Sequence, residues 1–229
     1  MSVYLHNGAM GDIVYALPTI RACGGGELVI TKHSQWEFLL PLLLKQEYLT
    51  GVHCTQVDNP TVDLRKYRQI SEADLSKHLA LCHAEAAGVE VDLETPWLEN
   101  VTPKDRGTII VNRTARYRGT LDYSLLRPYE SDVAFLGTFK EWKSFIEETG
   151  VTPGLFYTEN ALDIAETIAG SKLFVGNQSL AFSIAEALKH PRVLEASHAK
   201  PNCMPHGAGG ETVLTEGRLA ELCSLEPHN

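Results

Sequence analysis

Long apolar runs are missing from this chain. The best, Phe38–Leu44, is seven residues and contains Pro41, against the roughly 20 residues that a membrane-crossing helix needs. The opening Met1-Ser-Val-Tyr-Leu-His-Asn-Gly has neither a basic stretch nor an apolar one behind it, so no secretory signal is expected and the expected compartment is the cytoplasm. A basic surplus is also missing. The 20 Lys and Arg face 29 Asp and Glu, a formal charge of −9, which argues against a protein that coats nucleic acid by neutralising phosphates. Cysteines are few and odd in number, five, with no CxxC pair; this excludes a zinc ribbon and argues against a disulfide framework. Low-complexity tracts and short-period repeats are absent. What is present is globular: 229 residues, 44% hydrophobic and 21% charged, enough to bury a core unaided.

The pattern along the chain alternates short β-favouring runs with helix-length segments. Val3–His6, Glu27–Thr31 and Val52–Val57 read as strands, with helices expected over the stretch after Gly11, over Ser34–Gln46 and over Glu72–Ala87, the last ending at Gly88. Asp58–Ile70 reads as a loop. The polar segment Glu99–Gly107 reads as a boundary. Beyond it, strands are expected at Thr108–Asn112, Asp132–Leu136, Gly154–Tyr157, Lys172–Val175 and Arg192–Glu195. Helices are expected at Thr138–Glu148, Asn160–Ala169, Ser179–Leu188 and Arg218–Leu225. This alternation predicts an α/β protein of two Rossmann-like domains with parallel sheets, residues 1–100 and 101–229, and a ligand site in the cleft between them.

The sharpest local signal is His6-Asn-Gly-Ala-Met-Gly-Asp-Ile-Val-Tyr-Ala-Leu-Pro18. A strand meets a glycine turn and then a helix, so Asn7, Gly8, Met10 and Gly11 can approach a ligand closely while Asp12 sits near a helix N-terminus. By itself the spacing also fits a plain N-cap, and it is not the dinucleotide G-x-G-x-x-G. Tyr4–Ala22, with Met10-Gly11-Asp12 and Ala16-Leu17-Pro18, resembles the N-terminus of glycosyltransferase family 9, the ADP-heptose:lipopolysaccharide heptosyltransferases. The resemblance implies a GT-B fold and makes Asp12 the base that deprotonates the acceptor hydroxyl. Leu162–Pro205, with Phe174-Val175-Gly176-Asn177 and Ile184-Ala185-Glu186-Ala187-Leu188, is similar to the donor-binding region of the same family. There Asn177, Gln178 and Ser179 would face the diphosphate. The family has Asp-Thr-Gly and a following histidine; here stand Asn177-Gln178-Ser179, with Phe182 or Ser183 near the histidine position. The sugar is therefore not carried over.

Asn112-Arg-Thr-Ala-Arg-Tyr-Arg118 follows the first strand of the second half. Arg113 and Arg116, with Thr114, are expected to clamp a diphosphate, because guanidinium groups bind phosphate bidentately. Gly137, Thr158 and Glu159 close neighbouring strands and are weaker candidates for the nucleotide. His78 and His83 read as surface or half-buried structural residues. The spacing His198, Cys203, His206 fits no zinc pattern, so neither a metal nor a resident cofactor is expected. A Pro- and Gly-rich loop there is expected to close over the donor. The resemblance thus implies a metal-independent glycosyltransferase whose partners are a nucleotide-diphosphate sugar and a small or polymer-linked acceptor. Three alternatives stay open: a phage-type glycosyltransferase for modified DNA bases (the one way nucleic acid would enter), a non-catalytic nucleotide or nucleotide-sugar binder, and an epimerase or hydrolase of nucleotide-sugars.

Overall fold

Strands covered on both faces show no alternation of buried and exposed positions, and four segments of the second half are of this kind: Ile109–Asn112, Val133–Leu136, Leu173–Asn177 and Arg192–Glu195 are buried at every position. In the computed structural model, which describes residues 1–31 and 36–224, these are the inner strands of a parallel sheet. Numbered along the chain, the strands are β1 (Val3–His6), β2 (Gly26–Ile30), β3 (Leu49–His53), β4 (Val62–Asp63), β5 (Ile109–Asn112), β6 (Val133–Leu136), β7 (Gly154–Phe156), β8 (Leu173–Asn177), β9 (Arg192–Glu195) and β10 (Gly210–Glu211). The helices are α1 (Met10–Ala22), α2 (Trp36–Leu43), α3 (Tyr67–Ala73), α4 (Leu79–Ala87), α5 (Phe139–Thr149), α6 (Ala161–Ala169), α7 (Leu180–Ala187) and α8 (Glu216–Ser224). The first sheet runs β3-β2-β1-β4 and the second β10-β9-β8-β5-β6-β7, with every pairing parallel. This is the α/β architecture expected of two parallel sheets.

In each sheet the chain leaves from one central strand to both sides. In the first, β2 and β4 flank β1; in the second, β6 and β8 flank β5. Such switch points leave a crevice at the carboxyl ends of the strands. The connections after β1, β4, β5 and β8 are the ones that build the site described below.

One apolar cluster joins the halves. Ile13, Leu17 and Ile20 of α1 belong to the same buried cluster as Ile110, Phe174, Phe182 and Ile184 of the second half. Trp97, wholly buried, rivets the contact: its indole N–H donates to the Val14 carbonyl (3.1 Å), and its backbone N–H donates to the carbonyl of Ala187 (2.9 Å). The outer face of the second sheet packs separately around Phe135, Phe145, Val175 and Leu219.

The middle of the first half differs from the expectation. The supposed loop over residues 58–70 contains β4, a 3-10 turn at Leu64–Lys66 and the start of α3. The single helix expected at Glu72–Ala87 is two. The Asp74 carboxylate accepts from the Ser76 backbone N–H (2.9 Å) and hydroxyl (2.6 Å), a local turn that competes with helix, and His78 caps the new start at α4. The third strand begins three residues earlier than expected, at Leu49. Ser34 and Gln35 of the second expected helix lie outside the described residues, as does Leu225 of the last. Among the described residues no helix is long and apolar enough to cross a membrane.

Candidate active site

The turn after β1 makes Asp12 the third residue of α1, where unpaired backbone N–H groups favour a carboxylate. Asp12 Oδ2 accepts the Ala9 backbone N–H at 3.1 Å and the Tyr67 hydroxyl at 2.7 Å, with the Arg68 guanidinium 3.9 Å away. Asp12 Oδ1 has no partner among the described residues. The side chain is 23% exposed and lines a cleft of about 470 Å³. Met10 and Gly11 line it too; Asn7 and Gly8 do not. Gly8 has a different task. A Cβ there would stand 2.6 Å from the Tyr67 hydroxyl and 2.6 Å from a ring carbon of His6, so only glycine leaves room beneath Asp12.

Opposite Asp12 stands the N-terminus of α7. Ser179 caps it, accepting the Phe182 backbone N–H at 3.2 Å and donating its own hydroxyl proton to Asn112 Oδ1 at 2.7 Å. Ser179 and Leu180, at the start of α7, line the cleft, and the first N–H groups of a helix have no helical carbonyl to reach. The approach is close: a Cβ on Gly11 would lie 3.7 Å from the Ser179 carbonyl oxygen and 3.5 Å from the Ser183 hydroxyl. Gln178 lines the cleft and is buried. Its amide nitrogen donates to the Lys200 carbonyl (2.8 Å), and its Oε1 has no partner among the described residues.

Asn177 and Arg113 serve elsewhere. Asn177 Oδ1 accepts from the Thr114 backbone N–H at 2.9 Å and its Nδ2 donates to the carbonyls of Thr114 and Arg116, so it shapes the loop and does not line the cleft. Arg113 makes a two-pronged pair with the buried Glu195 (2.8 and 2.9 Å) and reaches Glu148 at 2.5 Å. The Arg118 guanidinium, first among several donors, holds Glu148 down at about 2. Of the arginine loop, Thr114, Arg116 and Tyr117 face the cleft. Tyr117 adopts a left-handed backbone (φ 52°), a conformation that costs a side-chain-bearing residue energy, and Arg116 lies over its ring at 4.8 Å. Gly137, Thr158 and Glu159 are not cleft residues, although Glu141, which closes a capping box with Thr138, is. Phe182 is wholly buried and faces Phe174 in the core; Ser183 is buried as well.

The cleft also holds residues that the motifs did not indicate: Tyr67, Arg68 and Glu72 from the α3 region, and Lys200 and Asn202 from the loop after β9. Arg116 and Lys200 form no ion pair with a described carboxylate, so two cations are available to a ligand anion. The loop carrying Lys200 is tied to the core by buried charges. Glu186 pairs with Arg192 and Lys189, each at 2.5 Å, and Arg192 and Lys189 donate to the His206 carbonyl. His78 and His83 are buried, 4% and 0% exposed, not surface residues. His83 lies beneath Asp12 because Tyr67 stacks on it at 4.1 Å between ring centres. Among the described residues no group of three or more His, Cys, Asp or Glu is arranged to hold a metal ion.

No family model and no curated protein matches the sequence. Solved structures do match in fold. The Escherichia coli heptosyltransferase WaaC with ADP superposes with a TM-score of 0.65 at 13% identity, over 97% of this chain and 98% of that one. A glycosyl transferase family 9 protein from Veillonella parvula gives 0.58 at 10% identity, over 96% and 87%. The E. coli ADP-heptose lps heptosyltransferase II gives 0.54 at 12%, over 97% of each. With its two parallel sheets, its order of elements and its cleft between them, the chain has the GT-B-like fold of these heptosyltransferases.

Proposed function

We propose that this protein is a glycosyltransferase that moves a sugar from a nucleoside-diphosphate donor to an acceptor hydroxyl. The observation that carries the reading is the meeting of Asp12, with Oδ1 free, and the N-terminus of α7 across Gly11. A base and an anion-binding site face each other in one cleft, which is what sugar transfer needs. Asp12 Oδ1 takes the proton of the acceptor hydroxyl. The acceptor oxygen bonds to the anomeric carbon, and the bond from that carbon to the diphosphate oxygen breaks, its electron pair leaving with the diphosphate. The negative charge that develops is met by the first N–H groups of α7, by Arg116 and by Lys200, without need of a metal. Gln178 Oε1, buried and unpartnered at the cleft wall, would accept a hydroxyl of the sugar or ribose. The first half, residues 1–100, would hold the acceptor and the second, 101–229, the donor. The solved relative carrying ADP-2-deoxy-2-fluoro heptose makes ADP-linked heptose the first donor to try.

Thermal unfolding in the presence of ADP-, UDP-, GDP- and CMP-linked ligands tests the reading. A ligand at a hundred times its dissociation constant adds about 2.7 kcal/mol to the stability of the native state, so at least one should raise the midpoint by several degrees. No response to any of them sinks the proposal. Arg116→Ala and Lys200→Ala, each alone, are expected to weaken the selected diphosphate about 10- to 100-fold, since bonds from charged donors contribute about 1.5–3 kcal/mol each. Calorimetric titration reads this directly, and unchanged affinity in either variant removes that cation from the site.

A further inference from the structure

Asp12 is held by a side chain from another element, and that side chain is itself fixed from below. The Tyr67 hydroxyl donates to Asp12 Oδ2 at 2.7 Å and accepts from the Arg68 guanidinium at 2.9 Å. Its ring, 2% exposed, stacks on His83 at 4.1 Å and on His6 at 5.3 Å. The two imidazoles are joined. The Gly8 backbone N–H donates to His6 Nδ1 at 3.0 Å, which places the His6 proton on Nε2; that nitrogen lies 2.9 Å from His83 Nε2. His83 then carries its proton on Nδ1 and donates to the Leu79 carbonyl at 2.8 Å. Both rings are neutral with this bonding pattern, and burial presses the His83 pKa down to about 4. Burial and then the Asp12 carboxylate hold the Tyr67 phenol far above its usual range, so it stays a donor at neutral pH.

We infer that Tyr67 is the positioning residue for Asp12, tying down Oδ2 so that Oδ1 alone faces the acceptor hydroxyl. A carboxylate free to rotate about its χ2 would offer either oxygen in many orientations. One held by Tyr67 and by the Ala9 N–H offers one oxygen in one direction. The His6–His83 pair is the bed that keeps the Tyr67 ring from turning. Gly8 completes the arrangement, because a methyl group there would strike both the Tyr67 hydroxyl and His6. The inference rests on Asp12 being the base of the proposed transfer.

Tyr67→Phe keeps the stacked ring and removes only the hydroxyl. Turnover is followed as ADP released from ADP-heptose, with water or an added sugar as acceptor, and affinity as calorimetric titration with ADP. The expected result is a kcat lowered about 10- to 100-fold, the scale of a misplaced reacting group, with donor KM and ADP affinity within twofold of wild type. Gly8→Ala, whose backbone φ is open to alanine, should reproduce the drop by displacing the same hydroxyl. Wild-type kcat in Tyr67→Phe overturns the inference. So does a loss of ADP affinity in step with kcat, which marks a general structural defect. The reading of Asp12 fails on a different result, wild-type turnover in Asp12→Asn.

Discussion

Replacing Asp12 with asparagine is expected to lower the rate of sugar transfer about 100- to 10,000-fold while leaving donor affinity within twofold of wild type. The range is the usual contribution of a positioned general base. Asparagine has the shape of aspartate, and its amide oxygen can still accept from Tyr67 and from the Ala9 N–H, which occupy Oδ2 in the native protein. The group presented to the acceptor then becomes an amide NH₂, which cannot take a proton. In the proposed reaction the donor is held by α7, Arg116 and Lys200, which line the cleft opposite Asp12, so the split between rate and affinity separates the base from the binding site. Turnover equal to wild type would remove Asp12 from this role. A wild-type protein that binds the donor but transfers to no acceptor, water included, would instead be a non-catalytic binder.

How much of this site was legible beforehand follows from how local each feature is. Asp12 and Ser179 each stand at a strand-turn-helix junction only a few residues long, so the signal lies in adjacent residues: glycines before Asp12, and a capping serine before an apolar helix. Tyr67 offered no such signal. It reaches Asp12 across 55 residues, and it follows a strand of only two residues, Val62–Asp63, that no periodicity can reveal. Arg113 shows the converse. Its position beside a strand end suited a phosphate clamp, but Glu195, 82 residues away and fully buried, takes the guanidinium. A carboxylate at the end of β9 is visible in the sequence; that β9 lies next but one to β5 is a property of the strand order. The alternation of strands and helices sufficed for the fold class because parallel sheets require it. Which strand-end residues meet across two sheets does not follow from alternation.

The buried imidazoles set the second large expectation, a loss of about 6 kcal/mol of folding stability between pH 8 and pH 5, about 2 each from His78, His83 and His190, the last also held at about 4 by burial. His78 is held at about 3, chiefly by burial, with the cations of Lys189 and Arg192 adding to it. His83 is held at about 4 by burial, opposed by its bond to the Leu79 carbonyl and by Asp12. In the unfolded chain all three return to about 6.5. Between these values the unfolded state binds the more protons, so stability is fully present above pH 6.5 and falls as pH drops through 5 toward 4. At pH 5 each imidazole contributes about 2 kcal/mol of that loss, since each unit of difference is about 1.4 kcal/mol. Urea unfolding at the two pH values measures the difference, and a change below about 1 kcal/mol would show that the three are not buried neutral. The consequence reaches the site. Because His83 is the ring on which Tyr67 stacks, charging it in the folded protein weakens the support beneath Asp12. Turnover of the folded protein should therefore fall between pH 5 and 4, as His83 charges around its value of about 4, more steeply in the native protein than in Tyr67→Phe, where Asp12 has already lost that support.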